Sequence, residues 1–376
     1  MRTIPQTKPT EIIFNKDELS SIDKFSSDGE YTKKVINLLK KHYIGREVFL
    51  TSSGSLALDI SSYLIGLKPE DEVIVPSYAF TTCATSFVKN NSKIIFADID
   101  QNNMCLDLND LESKISKKTK AVIVVHYGSY SCDMDKLQKI CKEKNILLVE
   151  DCAQAIFSSY NNKLLGLFGD IAILSFDDLK NIHCGEGGAL IIKNKFKNKT
   201  DILLDKGTDR AKFFNKLVNK YTWIDIGFNG KLANLNSYFL YNQLKNYKKI
   251  FRPRIKSWTF YYQELNMLDK LGKIKIPKLS KHTKHIAHNF TILLKNKVQR
   301  DQLIRHMKSK GIILTSHYEP LHNSKASKKF GFYKKGDCKN SVEVSSSLAR
   351  LPLWSGISVT EKKLVIRHLK EFFSAC

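Results

Sequence analysis

Acidic residues are scarce: Asp and Glu number 37 against 61 Lys and Arg, a formal net charge of +24 over 376 residues. Such an excess brings nucleic acid into view as a partner. The lysines are dispersed, however, as at Lys34, Lys40, Lys41, Lys117, Lys118, Lys195 and Lys197. They read as a solvated basic surface, which would also draw in an anionic small substrate such as a nucleotide diphosphate. Long apolar runs are missing too, so no segment is expected to span a bilayer, and Met1-Arg2-Thr3-Ile4-Pro5 opens no secretory signal. A cytoplasmic protein is expected. Eight cysteines (Cys83, Cys105, Cys132, Cys141, Cys152, Cys184, Cys338 and Cys376) include no Cys-x-x-Cys pair. They read as reduced thiols, several in the core, rather than as zinc ligands or a disulfide framework. There is no internal repeat and no low-complexity segment.

What is present is alternation. The β-branched runs Glu72–Val75, Lys93–Phe96, Ala121–Val125, Ile146–Val149, Ile171–Leu174 and Ala189–Ile192 are separated by amphipathic stretches such as Asp135 to Lys144. This is the βαβ pattern of an α/β fold with a mostly parallel sheet flanked by helices. From about Leu232 to Leu265 the spacing turns helical, leading into a smaller α+β C-terminal domain in which Thr291–Leu294 and Gly311–Leu314 read as strands. The expected organisation is an N-terminal arm over residues 1–30, a large domain over 31–250 and a small domain over 251–376.

In open α/β sheets ligands sit beyond the carboxyl ends of the strands, so chemistry is sought there. Phe49-Leu50 runs through Thr51-Ser52-Ser53 into Gly54-Ser55 and a helical segment. Small residues at a helix N-terminus let backbone N–H groups approach a phosphate, although this loop has neither a P-loop lysine nor the dinucleotide glycine spacing. Pro76-Ser77-Tyr78-Ala79-Phe80 follows a strand and offers Phe80 for stacking on a flat heterocycle. Glu150-Asp151-Cys152-Ala153-Gln154 places Asp151 at the mouth of the sheet, either as a carboxylate facing a ring nitrogen or as a helix N-cap. Gln154 either bonds a cofactor oxygen or completes a capping box. Ser175 ends its own run and can add a hydroxyl to a phosphate. Lys180 lies between that run and Gly185-Glu186-Gly187-Gly188, where exclusion from water would make its amine a carbonyl-capturing nucleophile. Phosphate loop, aromatic ring, carboxylate, hydroxyl and lysine on successive strand ends describe a pyridoxal 5'-phosphate (PLP) site.

Asp71 to Phe87, Ile95 to Asp98, His126-Tyr127-Gly128 with Asp133-Met134-Asp135, Val149 to Gln154, and Ser175 to Gly188 together resemble the DegT/DnrJ/EryC1/StrS family of PLP-dependent nucleotide-sugar aminotransferases. The resemblance implies the fold type I (aspartate aminotransferase-like) architecture. Within the family, Lys206 to Arg210, Phe213-Phe214 and Lys220 to Gly227 are similar to the TDP-4-oxo-6-deoxy-D-glucose transaminases. His317 to His322 and Leu351-Pro352-Leu353 extend that similarity into the small domain. By position, Lys180 is then the lysine that carries PLP as an imine and shuttles the proton. Asp151 is the pyridinium partner, and Gln154 contacts the phenolic oxygen. Gly54, Ser55 and Ser175 hold the phosphate, and Phe80 stacks on the ring. Asn229 falls where relatives reach the neighbouring subunit's phosphate, which implies a homodimer with shared active sites. Tyr221, His317 and Tyr318 are candidates for gripping the substrate. Asp177 and Leu179 depart from the histidine and threonine common beside the lysine.

The expected reaction moves an amino group from L-glutamate to dTDP-4-dehydro-6-deoxy-D-glucose, giving dTDP-4-amino-4,6-dideoxy-D-galactose for a surface polysaccharide such as the lipopolysaccharide O-antigen. A 3-keto or a UDP- or GDP-linked sugar on the same fold is the alternative, and a non-catalytic basic nucleic-acid-binding protein is the reading from another class. His282-x-x-His285-x-x-His288 has roughly helical spacing, but Lys284 intervenes and no carboxylate or cysteine is close in sequence. It reads as a solvated stretch leading into a strand, with no metal expected.

Overall fold

The computed structural model describes residues 3–22, 25–333 and 336–374. Its centre is an eight-stranded sheet whose spatial order is Glu47–Thr51, Gly188–Ile192, Ile171–Ser175, Leu147–Asp151, Thr119–Val125, Glu72–Pro76, Lys93–Ala97 and the short Gly331–Phe332. Gly188–Ile192 runs antiparallel to both its neighbours; the other pairings are parallel. The six β-branched runs read from the sequence are all strands of this sheet. They are apolar nearly throughout because helices cover both faces, as parallel pairing with crossover helices requires.

The two faces have different cores. Leu148, Val122 and Ala172 point into a cluster shared with Val35, Leu39 and Leu137, whereas Val149, Ile123 and Ile173 point into one shared with Leu58, Phe87 and Leu203. Local capping fixes where the covering helices begin. The Ser53 side chain accepts from the Leu56 N–H at the start of Gly54–Ile65, and Asp133 accepts from the Lys136 N–H at the start of Met134–Glu143.

The helical stretch expected near Leu232 is two helices, Asn234–Lys245 and Tyr247–Lys270, and the expected boundary at residue 250 falls inside the second. Beyond it Phe290–Leu293 pairs antiparallel with Leu348–Leu351 over a separate core that includes Trp258, Tyr261, Leu303 and Leu369. The strand expected at Gly311–Leu314 is absent. Ile312 makes a single bridge with Ile4 of the N-terminal segment, sealed by the Ile4 N–H to Gly311 O and Ile313 N–H to Ile4 O bonds. An apolar run with one short partner segment satisfies its backbone without forming a ladder. The N-terminal segment thus packs on the small core through Ile4, 5% exposed.

Seven cysteines are buried and unpaired; Cys376 lies outside the described residues. Among the described residues no helix is long and apolar enough to cross a membrane. The His282 to His288 stretch is not helical. His282 bonds Asn161, the His285 ring packs edge-on against Trp258 at 4.4 Å, and His288 bonds Asn181. The expectation of a solvated stretch fails for His285, which burial pushes down to about 4.

Glu150, fully buried, faces away from Asp151 because successive strand side chains alternate. Its carboxylate accepts N–H bonds from Gly166 at 2.7 Å and Gly169 at 2.6 Å and pairs with His126 Nε2 at 3.0 Å. Burial alone would push this carboxyl up; the bond and charge from His126 and the two glycine N–H groups outweigh it and hold it below its usual value. Stability from this group is therefore complete above the unfolded glutamate value near pH ~4.3 and is lost as pH falls through the lowered folded value. Glu150→Gln should destabilise the protein at neutral pH by about 1–3 kcal/mol, the cost of leaving buried N–H donors without their charged acceptor. Denaturant unfolding at pH 7 and at pH 3.5 checks it: the gap between variant and wild type narrows at the lower pH.

Candidate active site

The sheet edge that carries the strand carboxyl ends opens into a cavity of about 560 Å³. Val125, Asp151 and Ile173 are register partners on three adjacent strands and form one row of its floor. Ser175 lies two residues beyond Ile173 on the same face. Of the residues singled out from the sequence, Gly54, Ser55, Phe80, Asp151, Gln154, Ser175, Lys180, His317 and Tyr318 all line this cavity. Tyr221 and Asn229 do not line it: both are exposed, on the stretch that follows the Arg210–Phe214 helix.

The side of the cavity at Gly54 is shaped by two close backbone approaches. A Cβ on Gly54 would stand 2.8 Å from the Ser175 Cβ, so the helix start sits directly over the end of the neighbouring strand. A Cβ on Gly188 would collide with the Ser53 backbone, so the loop crosses that strand with no room for a side chain. The first N–H groups of Gly54–Ile65 have no intrahelical acceptor and, with the helix dipole, favour an anion. The Ser175 hydroxyl stands beside them.

Asp151 ends its strand and no helix follows it, so neither the N-cap nor the capping-box reading holds. It is 6% exposed. Its Oδ1 accepts the Ala153 N–H at 2.9 Å and its Oδ2 accepts the Cys83 thiol at 3.0 Å. Burial and the Asp151 charge push that thiol well up, so it stays protonated and donates. Gln154 Oε1 accepts the Gly128 N–H at 2.7 Å, while Nε2 donates to the Tyr318 hydroxyl at 2.8 Å, leaving one amide hydrogen for a ligand. Lys180, partly buried, is held in a turn by its N–H bond to Asp177 O at 2.9 Å, and the Asp177 side chain accepts the Leu179 N–H. The residue that departs from the common histidine thus folds the lysine's own turn.

An aromatic wall faces these groups. His317 stacks on Tyr318 with centroids 3.7 Å apart, Phe80 tilts against Tyr318 at 6.1 Å, and Tyr127 donates its hydroxyl to His317 Nδ1 at 2.7 Å. Phe80, 52% exposed, is free to take a second ring on its open side. Sequence reasoning missed Gln6, His288, Asn289 and Arg350, which also line the cavity. Two had signals: Arg350 immediately precedes Leu351-Pro352-Leu353, and His288 closes the histidine triplet.

Burial, then the charges of Arg350 and Lys180, pushes His317 down to about 2. The unfolded chain binds a proton at this position below the ordinary imidazole value near pH ~6.5 and the folded chain refuses it, so stability falls as pH drops from there. His317→Asn should flatten the dependence of unfolding free energy on pH between about 6.5 and 5. An unchanged slope in denaturant titrations would contradict a neutral His317.

The profile of the DegT/DnrJ/EryC1/StrS aminotransferase family matches residues 10–370. The GDP-perosamine synthase of Vibrio cholerae is 28% identical over 356 residues, 93% of this chain and 92% of that protein. The 3-oxo-glucose-6-phosphate:glutamate aminotransferase of Bacillus subtilis strain 168 is 28% identical over 376 residues, 98% of this chain and 81% of that protein. The PLP form of the sugar aminotransferase Spr1654 from Streptococcus pneumoniae superposes with a TM-score of 0.87 over 99% of both chains at 20% identity, a likeness of fold. The chain therefore belongs to the DegT/DnrJ/EryC1/StrS aminotransferase family and is a PLP-dependent aminotransferase.

Proposed function

We propose that the protein transfers an amino group from L-glutamate to a nucleotide-linked keto sugar, dTDP-4-dehydro-6-deoxy-D-glucose, to give dTDP-4-amino-4,6-dideoxy-D-galactose for a surface polysaccharide. The observation that carries the reading is the convergence of Lys180, Asp151 and the Gly54 helix start on one cavity. The residues present fit PLP: an anion cradle closed to any Cβ, a buried carboxylate with room in its coordination, and an amine. When bound, PLP supplies an electrophilic carbonyl and an electron-withdrawing ring. In this reading the Gly54 and Ser55 N–H groups and the Ser175 hydroxyl bind its phosphate. Asp151 keeps a proton on the ring nitrogen, the spare Gln154 amide hydrogen meets the phenolic oxygen, and Phe80 covers the ring.

The Lys180 amine then takes the proton from the glutamate Cα and, in the second half-reaction, delivers one to the sugar carbon that receives nitrogen. The dTDP-4-keto choice is supported by the similarity of Lys206 to Gly227 to transaminases of that sugar. A GDP-linked sugar is the second reading, favoured by the similarity to a GDP-perosamine synthase. Lys180→Ala should bind PLP without the visible band of the lysine-bound form and lose turnover; turnover near wild type would remove the assignment. Incubation with glutamate and each keto sugar nucleotide, followed by product analysis, separates the sugar readings: an amine at C3, or on a GDP sugar alone, would overturn the dTDP-4-keto choice.

The same reading makes the protein a cytoplasmic homodimer with an arm to about residue 30 and a small domain from about 251. Phe214 (64% exposed), Leu217 (72%), Trp223 (78%) and Ile226 (56%) are exposed apolar side chains on the same segment as Tyr221 and Asn229, the kind of surface a second copy would cover. Lys231, two residues after Asn229, is paired with Asp28 and Asp205, which anchors the base of this segment. Trp223→Asp should shift the light-scattering mass from dimer to monomer and weaken PLP binding at the same time, since Asn229 would reach the partner's phosphate. A monomeric wild type would remove the shared-site reading.

A further inference from the structure

Behind Asp151 lies a fully buried thiol. Cys83 does not line the cavity, although Phe80 and Thr82 just before it do. It sits in the first turn of the Thr82–Val88 helix, where its N–H donates to Phe80 O at 3.0 Å, and its side chain belongs to the core that holds Leu58, Phe87 and Val149. Asp151 arrives at the same place because its side chain shares the Val149 and Ile173 face of the sheet, whereas Cys152 beside it enters the opposite core. The two meet across 68 residues, with Sγ donating to Oδ2 at 3.0 Å. The other cysteine bonds among the described residues are 3.3 Å or longer and end on backbone carbonyls or on the Met134 sulfur. Cys83 alone donates to a carboxylate.

A buried thiol ordinarily fills space as a small apolar side chain. This one closes a clamp. Asp151 is held at each oxygen by a different segment, the Ala153 N–H on Oδ1 and the Cys83 S–H on Oδ2. One bond would leave the carboxylate free to swing about Cβ–Cγ, and two fix its plane while each oxygen keeps a second lone pair for the cavity. A donor to a carboxylate also favours the charged form of that group, which in a pair with a ring nitrogen leaves the shared proton on nitrogen. The thiol cannot exchange roles, since burial and the Asp151 charge keep its proton on sulfur. We infer that Cys83 is a positioning residue for the reaction: its S–H orients the Asp151 carboxylate and so sets how firmly the ring nitrogen of PLP keeps its proton, an inference that rests on the reading of Asp151 above.

Infrared absorption of the S–H stretch reads this contact without turnover. In the cofactor-free protein Cys83→Val should remove the S–H band of lowest frequency, the one with the strongest acceptor. In wild type, loading PLP should move that band upward, as the ring nitrogen takes up part of the carboxylate charge, and leave the other thiol bands in place. Cys83→Val keeps the volume and removes the donor. It should lower the rate constants of both half-reactions about ten- to a hundredfold, the worth of a hydrogen bond to a charged group, with half-saturating glutamate and sugar nucleotide within about threefold of wild type. The pH midpoint of the visible band of the lysine-bound form should rise, because a ring nitrogen with less positive charge repels the neighbouring proton less. Cys83→Ser restores a donor and should return the rates to within about threefold and the midpoint toward wild type. A space-filling thiol predicts the opposite order, with valine harmless and serine damaging. Unchanged rates and midpoint in Cys83→Val, or a thiol band indifferent to PLP, would overturn the positioning role. Asp151→Asn should lose nearly all turnover, and turnover near wild type in that variant would overturn the reading of Asp151 itself. Should Cys83→Val fail to hold PLP, the midpoints of Cys83→Ser and Cys83→Ala decide: serine nearer to wild type supports the role and alanine nearer overturns it.

Discussion

The site depends on the register of the parallel sheet. Pairing Val125 with Asp151 and Asp151 with Ile173 fixes one row of side chains across three strands, and period-two alternation then assigns every neighbour a face. Asp151 looks into the cavity because Val149 looks into the core beneath the Gly54–Ile65 helix. Glu150, one residue away, looks into the opposite core and is consumed there by His126, Gly166 and Gly169. A slip of one residue would exchange the two carboxylates, putting Glu150 in the cavity and Asp151 in the opposite core.

That register also explains why the Gly54 side of the cavity tolerates only glycine at two positions. The sheet brings Ser175 and Gly188 side by side, and the Ser53-Gly54 loop crosses directly above them. Close crossing is what aims the helix start at the cavity. The aromatic wall comes from elsewhere in the chain: Tyr78 and Phe80 follow one strand, Tyr127 follows another, and His317 and Tyr318 arrive from beyond the Lys297–Ser309 helix. They meet through one hydroxyl-to-imidazole bond and a set of ring contacts. Burial of that wall keeps His317 neutral, so it accepts from Tyr127.

Legibility differed between the two halves. The large sheet was readable because its strands are fully buried and therefore continuously β-branched, and because a strand followed by a polar or small residue marks its own carboxyl end. The error at Gly311–Leu314 has the opposite cause: an apolar run of four looks like a strand whether it finds a ladder or, as here, one bridge to Ile4. The histidine triplet does lead into a strand as read, but spacing cannot say that Trp258 and Asn181 claim two of the rings.

The sequence by itself determined the strand ends, and with them Lys180, Asp151, Gln154, Ser175 and the Gly54 loop, because local periodicity and chain order are enough to place residues at one edge of a parallel sheet. It also carried the family, through motifs that run along the chain. Only the tertiary structure decided which carboxylate faces the cavity, that Asp177 folds the lysine's turn, and that Arg350 and Asn289 join the site from 170 and 109 residues beyond Lys180. Those facts depend on pairing between distant segments, which local periodicity does not encode.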